Sequence, residues 1–288
     1  MQSVSNKLRL EGKAIALVPT MGFLHEGHAS LIKKAKELCD IAIVSVFVNP
    51  TQFAPNEDFE KYPRNFEHDK NMIEDSGGDY IFYPTTDEMY PAGFNSAIVL
   101  SGISKKFEGS YRPNHFNGVA TIVAKFFNAC LPHIAVFGQK DFQQTLVVKQ
   151  LVRDFNLNIK IVVAATMRES DGLAMSSRNV YLDDEERVKA AILYKALEDA
   201  RAAIEANETR RKVINAIMHN RLRSFADIMI DYASATDAET LEEPDDFLPG
   251  QHIALIIAVH LGKTRLIDNA IVTLPEDPNV RTYFFEEV

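Results

Sequence analysis

The segment VPTMGFLHEGH, residues 18–28, carries two histidines, His25 and His28, whose spacing limits the chemistry they can do. Zinc proteases place two histidine ligands one helical turn apart, as H-E-x-x-H, whereas HEGH has two intervening residues and no evident third ligand nearby. A strand that ends at Val18 and a helix that begins near Gly27 would put both rings at a helix N-terminus, where free N–H groups and the helix dipole favour anions. Phosphate contact is therefore favoured over a structural histidine pair, and metal binding is the least supported interpretation.

Polar clusters follow three further predicted strands. Open parallel sheets bind ligands beyond the carboxyl ends of their strands, so these clusters are expected to meet. Lys140, between a strand end and a helix start, is well placed for phosphate, while Gln52 and Gln144 offer uncharged donors for a small polar substrate. The clusters are NPTQF (49–53), FGQKDFQQ (137–144) and MRESDGLAMSSRN (167–179).

Short apolar runs alternate with amphipathic stretches in the first part of the chain, which predicts βαβ units around a mostly parallel sheet. The run IAIVSVFV is typical of a central strand covered on both faces. The predicted strands are Ala14–Val18, Ile41–Val48, Tyr80–Tyr83, Ile134–Phe137 and Ile159–Ala164. The predicted helices are Gly27–Cys39, Asn65–Asp75, Phe116–Cys130 and Asp141–Phe155.

The pattern changes from about Asp183, where long charged helices with apolar spacing near 3.6 extend to Phe225. Three stretches that read as antiparallel strands follow: Ile228–Tyr232, His252–His260 and Arg265–Val272. The predicted fold class is therefore α/β, with a doubly wound, Rossmann-like parallel-sheet domain over residues 1–180. A smaller α+β C-terminal domain over residues 181–288, helical with an antiparallel sheet, is expected to act as a lid.

Composition excludes several classes of protein. With 288 residues and 46% apolar side chains, the chain can bury a large core. Its 40 acidic and 31 basic side chains give a net charge of −9, which argues against nucleic-acid binding by bulk attraction. The N-terminus lacks the apolar core of a signal peptide, and no apolar run is long enough to span a membrane. Cys39 and Cys130 are expected to be reduced residues that pack in the core. A cytoplasmic location is expected.

Six motifs in order resemble those of the pantoate–β-alanine ligase (pantothenate synthetase) family, which belongs to a wider nucleotidylyltransferase-like group. They are PTMGFLHEGH, FVNPTQF, YPR, EGSYRPNHFNGV, FGQKDFQQ and DGLAMSSRN, with weaker similarity in LIDNAIV, so the resemblance covers nearly the whole chain. A lone H-x-G-H would indicate only the wider group. The resemblance implies ATP, pantoate and β-alanine as substrates, Mg²⁺ accompanying ATP, and a homodimer.

The resemblance also implies residue roles, position by position. Contacts to ATP are implied for Pro19, Thr20, Met21, Gly27, His28, Gly138, Lys140, Asp141, Met167, Met175, Ser176, Ser177 and Arg178. Pantoate-binding residues are implied to be Asn49, Gln52, Arg112, His115 and Gln144, with Glu108 nearby and with Tyr62 and Arg64 in a loop that covers the site. The implied catalytic residues are His25, His28, Lys140, Ser176, Ser177 and Arg178.

Three features of the sequence depart from the family pattern. Gln139 stands where the family has Glu, and His68 precedes Asp69 in a segment that is often acidic and associated with magnesium. These departures leave the direct protein ligands of Mg²⁺ open, with Asp69 as the candidate. The N-terminus is also expected to lack most of an initial strand.

The implied reaction needs no enzyme nucleophile. The pantoate carboxylate attacks the α-phosphorus of ATP, giving pantoyl adenylate and pyrophosphate, and the β-alanine amine then releases AMP and forms pantothenate. Ser176 and Ser177 lie in no G-x-S-x-G elbow, which agrees with this chemistry. The alternatives are an adenylyltransferase acting on a phosphate substrate, a class I aminoacyl-tRNA synthetase and a nucleotide-binding sensor without chemistry. AMP formation dependent on pantoate and β-alanine would separate them.

Overall fold

The computed structural model describes residues 1–55 and 57–276. The chain divides into two compact units, Met1–Tyr181 and a second that begins at Leu182. The first contains a parallel sheet with helices, and the second contains a smaller antiparallel sheet with helices. The predicted fold class is confirmed.

In the described residues, the sheet of the first unit has five strands: β1 (Ile15–Thr20), β2 (Ile41–Val46), β3 (Tyr80–Phe82), β4 (Ile134–Gly138) and β5 (Lys160–Ala164). Their order is β3-β2-β1-β4-β5, and every neighbouring pair is parallel. The order reverses beside β1, and the crevice outside the carboxyl ends of such strands is where open α/β sheets bind ligands.

Helices lie on both faces of this sheet. One core cluster joins β1 and β4 to apolar side chains of α6 (His115–Cys130) and α7 (Phe142–Asp154), and the other packs α2 (Glu26–Leu38) against the opposite face. The helices of this unit are α1 (Gln2–Leu10), α2 (Glu26–Leu38), α3 (Phe66–Asp75), α4 (Thr86–Met89), α5 (Glu108–Tyr111), α6 (His115–Cys130) and α7 (Phe142–Asp154). Single 3₁₀ turns follow β2 at Pro50–Gln52 and β4 at Gln139–Asp141, so the strands deliver their polar clusters directly to one edge.

The end of β1 and the segment before it differ from expectation. β1 continues through Pro19 to Thr20 instead of ending at Val18. Its pairing with β4 involves Ala16 and Leu17, whereas its pairing with β2 runs to Thr20, so Pro19 lies where one side of the strand is unpaired and proline is tolerated. The residues before β1 form α1, which the sequence did not predict.

The second unit contains α8 (Asp184–Ala190), α9 (Ile192–Glu205) and α10 (Arg211–Leu222), followed by β6 (Ile228–Asp237), β7 (His252–Leu261) and β8 (Thr264–Thr273). The strands pair antiparallel in the order β6-β7-β8. β6 is longer than predicted, since its pairing with β7 continues past a register shift between Ile230 and Tyr232 as far as Asp237. Within the described residues, no helix is long and apolar enough to cross a membrane.

Candidate active site

A cleft in the first unit lies at the carboxyl ends of the parallel strands and collects the motif residues. Segments that are far apart in the chain contribute to it, because β1, β2, β4 and β5 all end at this edge. The predicted residues that line it are Pro19, Thr20, Met21, His25, Gly27, His28, Asn49, Gln52, Arg112, His115, Gly138, Lys140, Asp141, Gln144, Met167, Met175, Ser176, Ser177 and Arg178. Asp69 is not among the residues that line this cleft.

The two histidines cap the N-terminus of α2. The backbone N–H of Gly27 donates to Nδ1 of His25 at 3.2 Å, and the backbone N–H of His25 donates to Nδ1 of His28 at 3.2 Å. A neutral imidazole that accepts at Nδ1 carries its proton on Nε2. Each ring therefore keeps an Nε2–H donor, and both rings line the cleft with their centroids 4.1 Å apart.

Both rings are held in the neutral form. Burial, followed by the charge of Lys140, lowers the pKa of His25 to about 4. Burial also lowers the pKa of His28 well below its ordinary value, with further contributions from His25 and Lys140. At neutral pH the pair offers N–H dipoles, and the formal positive charge nearby comes from Lys140, whose side chain is 21% exposed.

The turn that precedes His25 is fixed by α3. Gly22 has φ +84° and Phe23 has φ +50°, so the chain reverses through left-handed backbone. The carboxylate of Asp69 accepts the backbone N–H groups of Phe23 at 2.9 Å and Leu24 at 2.7 Å, and the His68 ring contacts the Leu24 carbonyl at 3.0 Å.

This arrangement bears on the candidate magnesium ligand. Asp69 is 2% exposed, and each of its carboxylate oxygens already accepts a backbone N–H. No group of three or more His, Cys, Asp or Glu side chains suited to a metal occurs among residues 1–55 and 57–276. The contacts of Asp69 therefore support a structural role in the turn and lend no support to metal binding.

Side-chain amides also line the cleft. Asn49, which is 1% exposed, donates to Oε1 of Gln52 at 3.1 Å and accepts the hydroxyl of Tyr90 at 2.6 Å. With its carbonyl oxygen used in this way, Gln52 turns its amide nitrogen into the cleft, where it lies 2.9 Å from the sulfur of Met21. Gln144 lines the same cleft from α7.

Arg112 and His115 form a fixed pair beside these amides. Nη1 of Arg112 lies 3.2 Å from Nε2 of His115, and Nδ1 of the same ring lies 2.8 Å from the backbone carbonyl of Gln52. Because a guanidinium can only donate, Nε2 is the acceptor and Nδ1 carries the proton. Burial, followed by the charge of Arg112, lowers the pKa of His115 to about 4.

The serine-rich segment packs over the turn that holds His25. The hydroxyl of Ser177 donates to the backbone carbonyl of Phe23 at 3.1 Å, and the backbone N–H of Arg178 donates to the hydroxyl of Ser176 at 3.3 Å. Neither serine is paired with a general base by these bonds. The arrangement therefore orients the segment and does not activate a nucleophile.

An apolar wall was missed by the sequence reasoning. Side chains of α6 at helical spacing line the cleft, namely Val119, Ile122, Val123 and Phe126, together with Phe47 and Phe137. Their spacing in VATIVAKFF was visible but reads equally as ordinary core. Thr166 was also missed; it lines the cleft, and its hydroxyl is buried without a hydrogen-bond partner in the described structure.

These features define a class of protein. A doubly wound parallel sheet, a helix N-terminus with N–H donors, a nearby lysine and an amide-lined apolar pocket describe a nucleotide-binding α/β enzyme that holds a small polar second substrate.

Comparison with known proteins identifies the family. The family model described as pantoate-beta-alanine ligase matches residues 1–271, and the chain belongs to that family. Pantothenate synthetases from Caldicellulosiruptor bescii and Thermodesulfovibrio yellowstonii are 47% identical over 272 residues and 48% identical over 273 residues. Each of these alignments covers 94% of this chain and 96% of the relative.

Solved structures agree with this assignment. Pantothenate synthetase from Thermus thermophilus matches with a TM-score of 0.87 and 40% identity, covering 92% of this chain and 96% of that one. Pantoate-beta-alanine ligase from Francisella tularensis, solved in a complex with beta-gamma ATP and beta-alanine, matches with a TM-score of 0.76 and 34% identity over 94% of each chain.

Proposed function

We propose that this enzyme joins pantoate to β-alanine with ATP, giving pantothenate, AMP and pyrophosphate through an enzyme-bound pantoyl adenylate. The observation that carries the proposal is that phosphate-type donors and amide donors line one cleft. His25, His28 and Lys140 line this cleft together with the amides of Gln52 and Gln144. The family membership and the ATP complex of the Francisella tularensis relative support the same activity.

In this proposal, the first step is catalysed by alignment and charge. The Nε2–H groups of His25 and His28 and the ammonium of Lys140 contact the triphosphate, and Arg178 with Ser176 and Ser177 holds its outer phosphates. Gln52 and Gln144 orient pantoate so that its carboxylate faces the α-phosphorus. Donors fixed before the reaction stabilise the charge that develops on the leaving pyrophosphate without reorganising.

The second step needs protection of the adenylate from water. The apolar wall of α6 lies beneath the pantoate side, and the β-alanine amine attacks the activated carbonyl there and displaces AMP. Exclusion of water favours aminolysis over hydrolysis of the acyl adenylate. Arg112 and His115 lie at the pantoate side of the cleft in this proposal.

Magnesium is proposed to enter with ATP. Mg²⁺ usually takes phosphate oxygens, waters and one or two carboxylates in such sites, so a dedicated protein cage is not required. Asp141 is the acidic side chain that lines the cleft in the described residues, and it is the residue that fits this role best. The ion would reduce the charge of the triphosphate as the carboxylate of pantoate approaches.

Assembly, location and domain roles are also proposals. We infer a homodimer from the family resemblance. The two buried free cysteines, Cys39 and Cys130, support a cytoplasmic location. The assignment of residues 1–180 as the catalytic domain and 181–288 as a lid stays a prediction. Light scattering of the purified protein measures the oligomeric state directly.

The test uses each substrate in turn. With ATP, Mg²⁺ and pantoate alone, one pyrophosphate per active site should form rapidly and turnover should nearly stop. Added β-alanine should then release AMP and pantothenate, and ¹⁸O in the pantoate carboxylate should appear in AMP. Formation of ADP and phosphate, or AMP without label, would contradict attack at the α-phosphorus.

A further inference from the structure

Two adjacent carboxylates each hold one arginine of the cleft. Glu57 accepts Nε and Nη2 of Arg112 at 2.7 Å each, and Asp58 accepts Nε of Arg178 at 3.1 Å and Nη2 at 2.9 Å. We call these two residues the acidic pair. Paired parallel bonds between guanidinium and carboxylate fix direction as well as distance. A single short loop thus sets the geometry of two arginines that lie 66 positions apart in the sequence.

The acidic pair lies behind the arginines and outside the ligand space. Arg112 and Arg178 line the cleft, whereas among the described residues neither Glu57 nor Asp58 does. The side chains of the acidic pair are only 22% and 23% exposed. The carboxylates therefore do not fill the place of a substrate phosphate or carboxylate, which separates a supporting role from an inhibitory one.

The two arginines differ in the donors that remain. Arg112 also directs Nη1 to His115 and places Nη2 3.4 Å from the Gln52 backbone carbonyl, so all three nitrogens of its guanidinium have partners within the protein. For Arg178, Asp58 takes one edge, and within the described chain Nη1 has no hydrogen-bond partner. One amino group of Arg178 is thereby left for an anionic ligand, while the opposite edge is fixed.

One member of each pair has a pKa shifted in the direction that favours its charged form. Burial alone would raise the pKa of Glu57, but the hydrogen bonds and charge of Arg112 outweigh it and leave the pKa below its ordinary value. Burial would likewise lower the pKa of Arg178, but Asp58 outweighs it, and the pKa is raised. A buried guanidinium without such a partner would be costly to keep in the cleft.

We propose that Asp58 is a positioning residue that directs Nη1 of Arg178 towards the triphosphate, and that Glu57 fixes Arg112 on the pantoate side in the same way. This proposal rests on the proposed function. It predicts a change in ATP affinity opposite in direction to the one expected from simple electrostatics. Removing the charge of Asp58 makes the cleft more positive and should tighten ATP binding by attraction alone, whereas loss of the fixed fork should weaken it.

The experiment compares Asp58→Asn, Glu57→Gln and Glu60→Gln. Glu60 is an exposed acid of the same loop and serves as the matched control. Asp58→Asn should raise both the Kd of ATP, measured by calorimetry, and the KM for ATP by about tenfold, the scale of one charge-assisted hydrogen bond. Its KM for pantoate should change little. Glu57→Gln should show the reverse pattern, and Glu60→Gln should match the wild type.

A double-mutant cycle tests whether Asp58 acts through Arg178. Arg178→Lys keeps the charge but loses the fork, so it should reproduce the ATP effect of Asp58→Asn, and the double variant should be no worse than either. This variant also decides the question if Asp58→Asn does not fold. An unchanged or lower KM for ATP, additive effects, or equal changes for all substrates would overturn the proposal. A wild-type enzyme that forms no AMP would instead contradict the proposed function.

Discussion

Acidification should destabilise this protein through His115 before the carboxylates titrate. The ring has a pKa of about 4 in the folded protein and 6.5 as an ordinary imidazole. Above pH 6.5 both states are neutral, so the ring adds no pH dependence. Between pH 6.5 and 4 the unfolded chain binds a proton that the folded state does not, and stability falls as the pH falls.

The size of the effect follows from the two pKa values. At pH 5, preferential protonation of the unfolded state costs about 2 kcal/mol, rising to about 3 kcal/mol below pH 4. His25 shifts in the same direction, to about 4, and adds to the slope. Carboxylates with lowered pKa values, such as Glu57 and Asp237, contribute only at lower pH, because their unfolded pKa values are 4.5 and 3.8.

The assay is urea unfolding at pH 7.5, 6 and 5, followed by circular dichroism. His115→Asn keeps a donor near the Nδ1 position for the Gln52 carbonyl but cannot titrate. This variant should be less stable than the wild type at pH 7.5, and the difference should shrink by about 2 kcal/mol at pH 5. His252→Asn, at an exposed histidine, is the matched control for the loss of an imidazole. An unchanged slope in His115→Asn would refute the assignment.

Three further substitutions test the site. Lys140→Ala should lower kcat on the order of 10²-fold with an unchanged melting temperature. An unaltered kcat would show that Lys140 does not stabilise the transition state. Gly118→Ala should lower the melting temperature and raise the KM for pantoate, because its Cβ would lie 2.3 Å from the carbonyl oxygen of Thr51. Overpacking of this kind costs about 1–3 kcal/mol. Wild-type values for both quantities would show that the backbone at Thr51 moves without cost. Asp69→Asn should raise the KM for ATP at every Mg²⁺ concentration, because one carboxylate oxygen that fixes the turn before His25 becomes an amide; rescue by excess Mg²⁺ would favour a metal ligand instead.

The strands and the histidine turn were predictable because their causes are local. IAIVSV indicates a buried strand by composition alone, and His25 with His28 indicates a helix N-terminus through the strand–turn–helix spacing. The cleft followed because parallel strands deliver their C-terminal residues to one edge. Each of these inferences needed only short-range patterns and one rule of topology.

What escaped prediction depends on partners far away in the sequence. The partners of the Asp69 carboxylate are backbone N–H groups 45 and 46 positions earlier, and Arg178 finds Asp58 at a separation of 120. The passage of β1 through Pro19 depends on how far β4 extends beside it. No local propensity encodes such distances, so the family resemblance offered Asp69 only as a candidate magnesium ligand, and its bonds to the turn before His25 went unpredicted.

The contact between Gln52 and Met21 is one that an oxygen acceptor can replace easily. The amide nitrogen of Gln52 lies 2.9 Å from a thioether sulfur, which is a weak acceptor compared with a carboxylate or hydroxyl oxygen. An incoming oxygen therefore competes with a poor acceptor and meets a donor whose direction Asn49 has already set. An apolar ligand of equal size offers no acceptor to this amide. The contact with sulfur therefore favours binding of ligands that carry oxygen over binding of hydrocarbons.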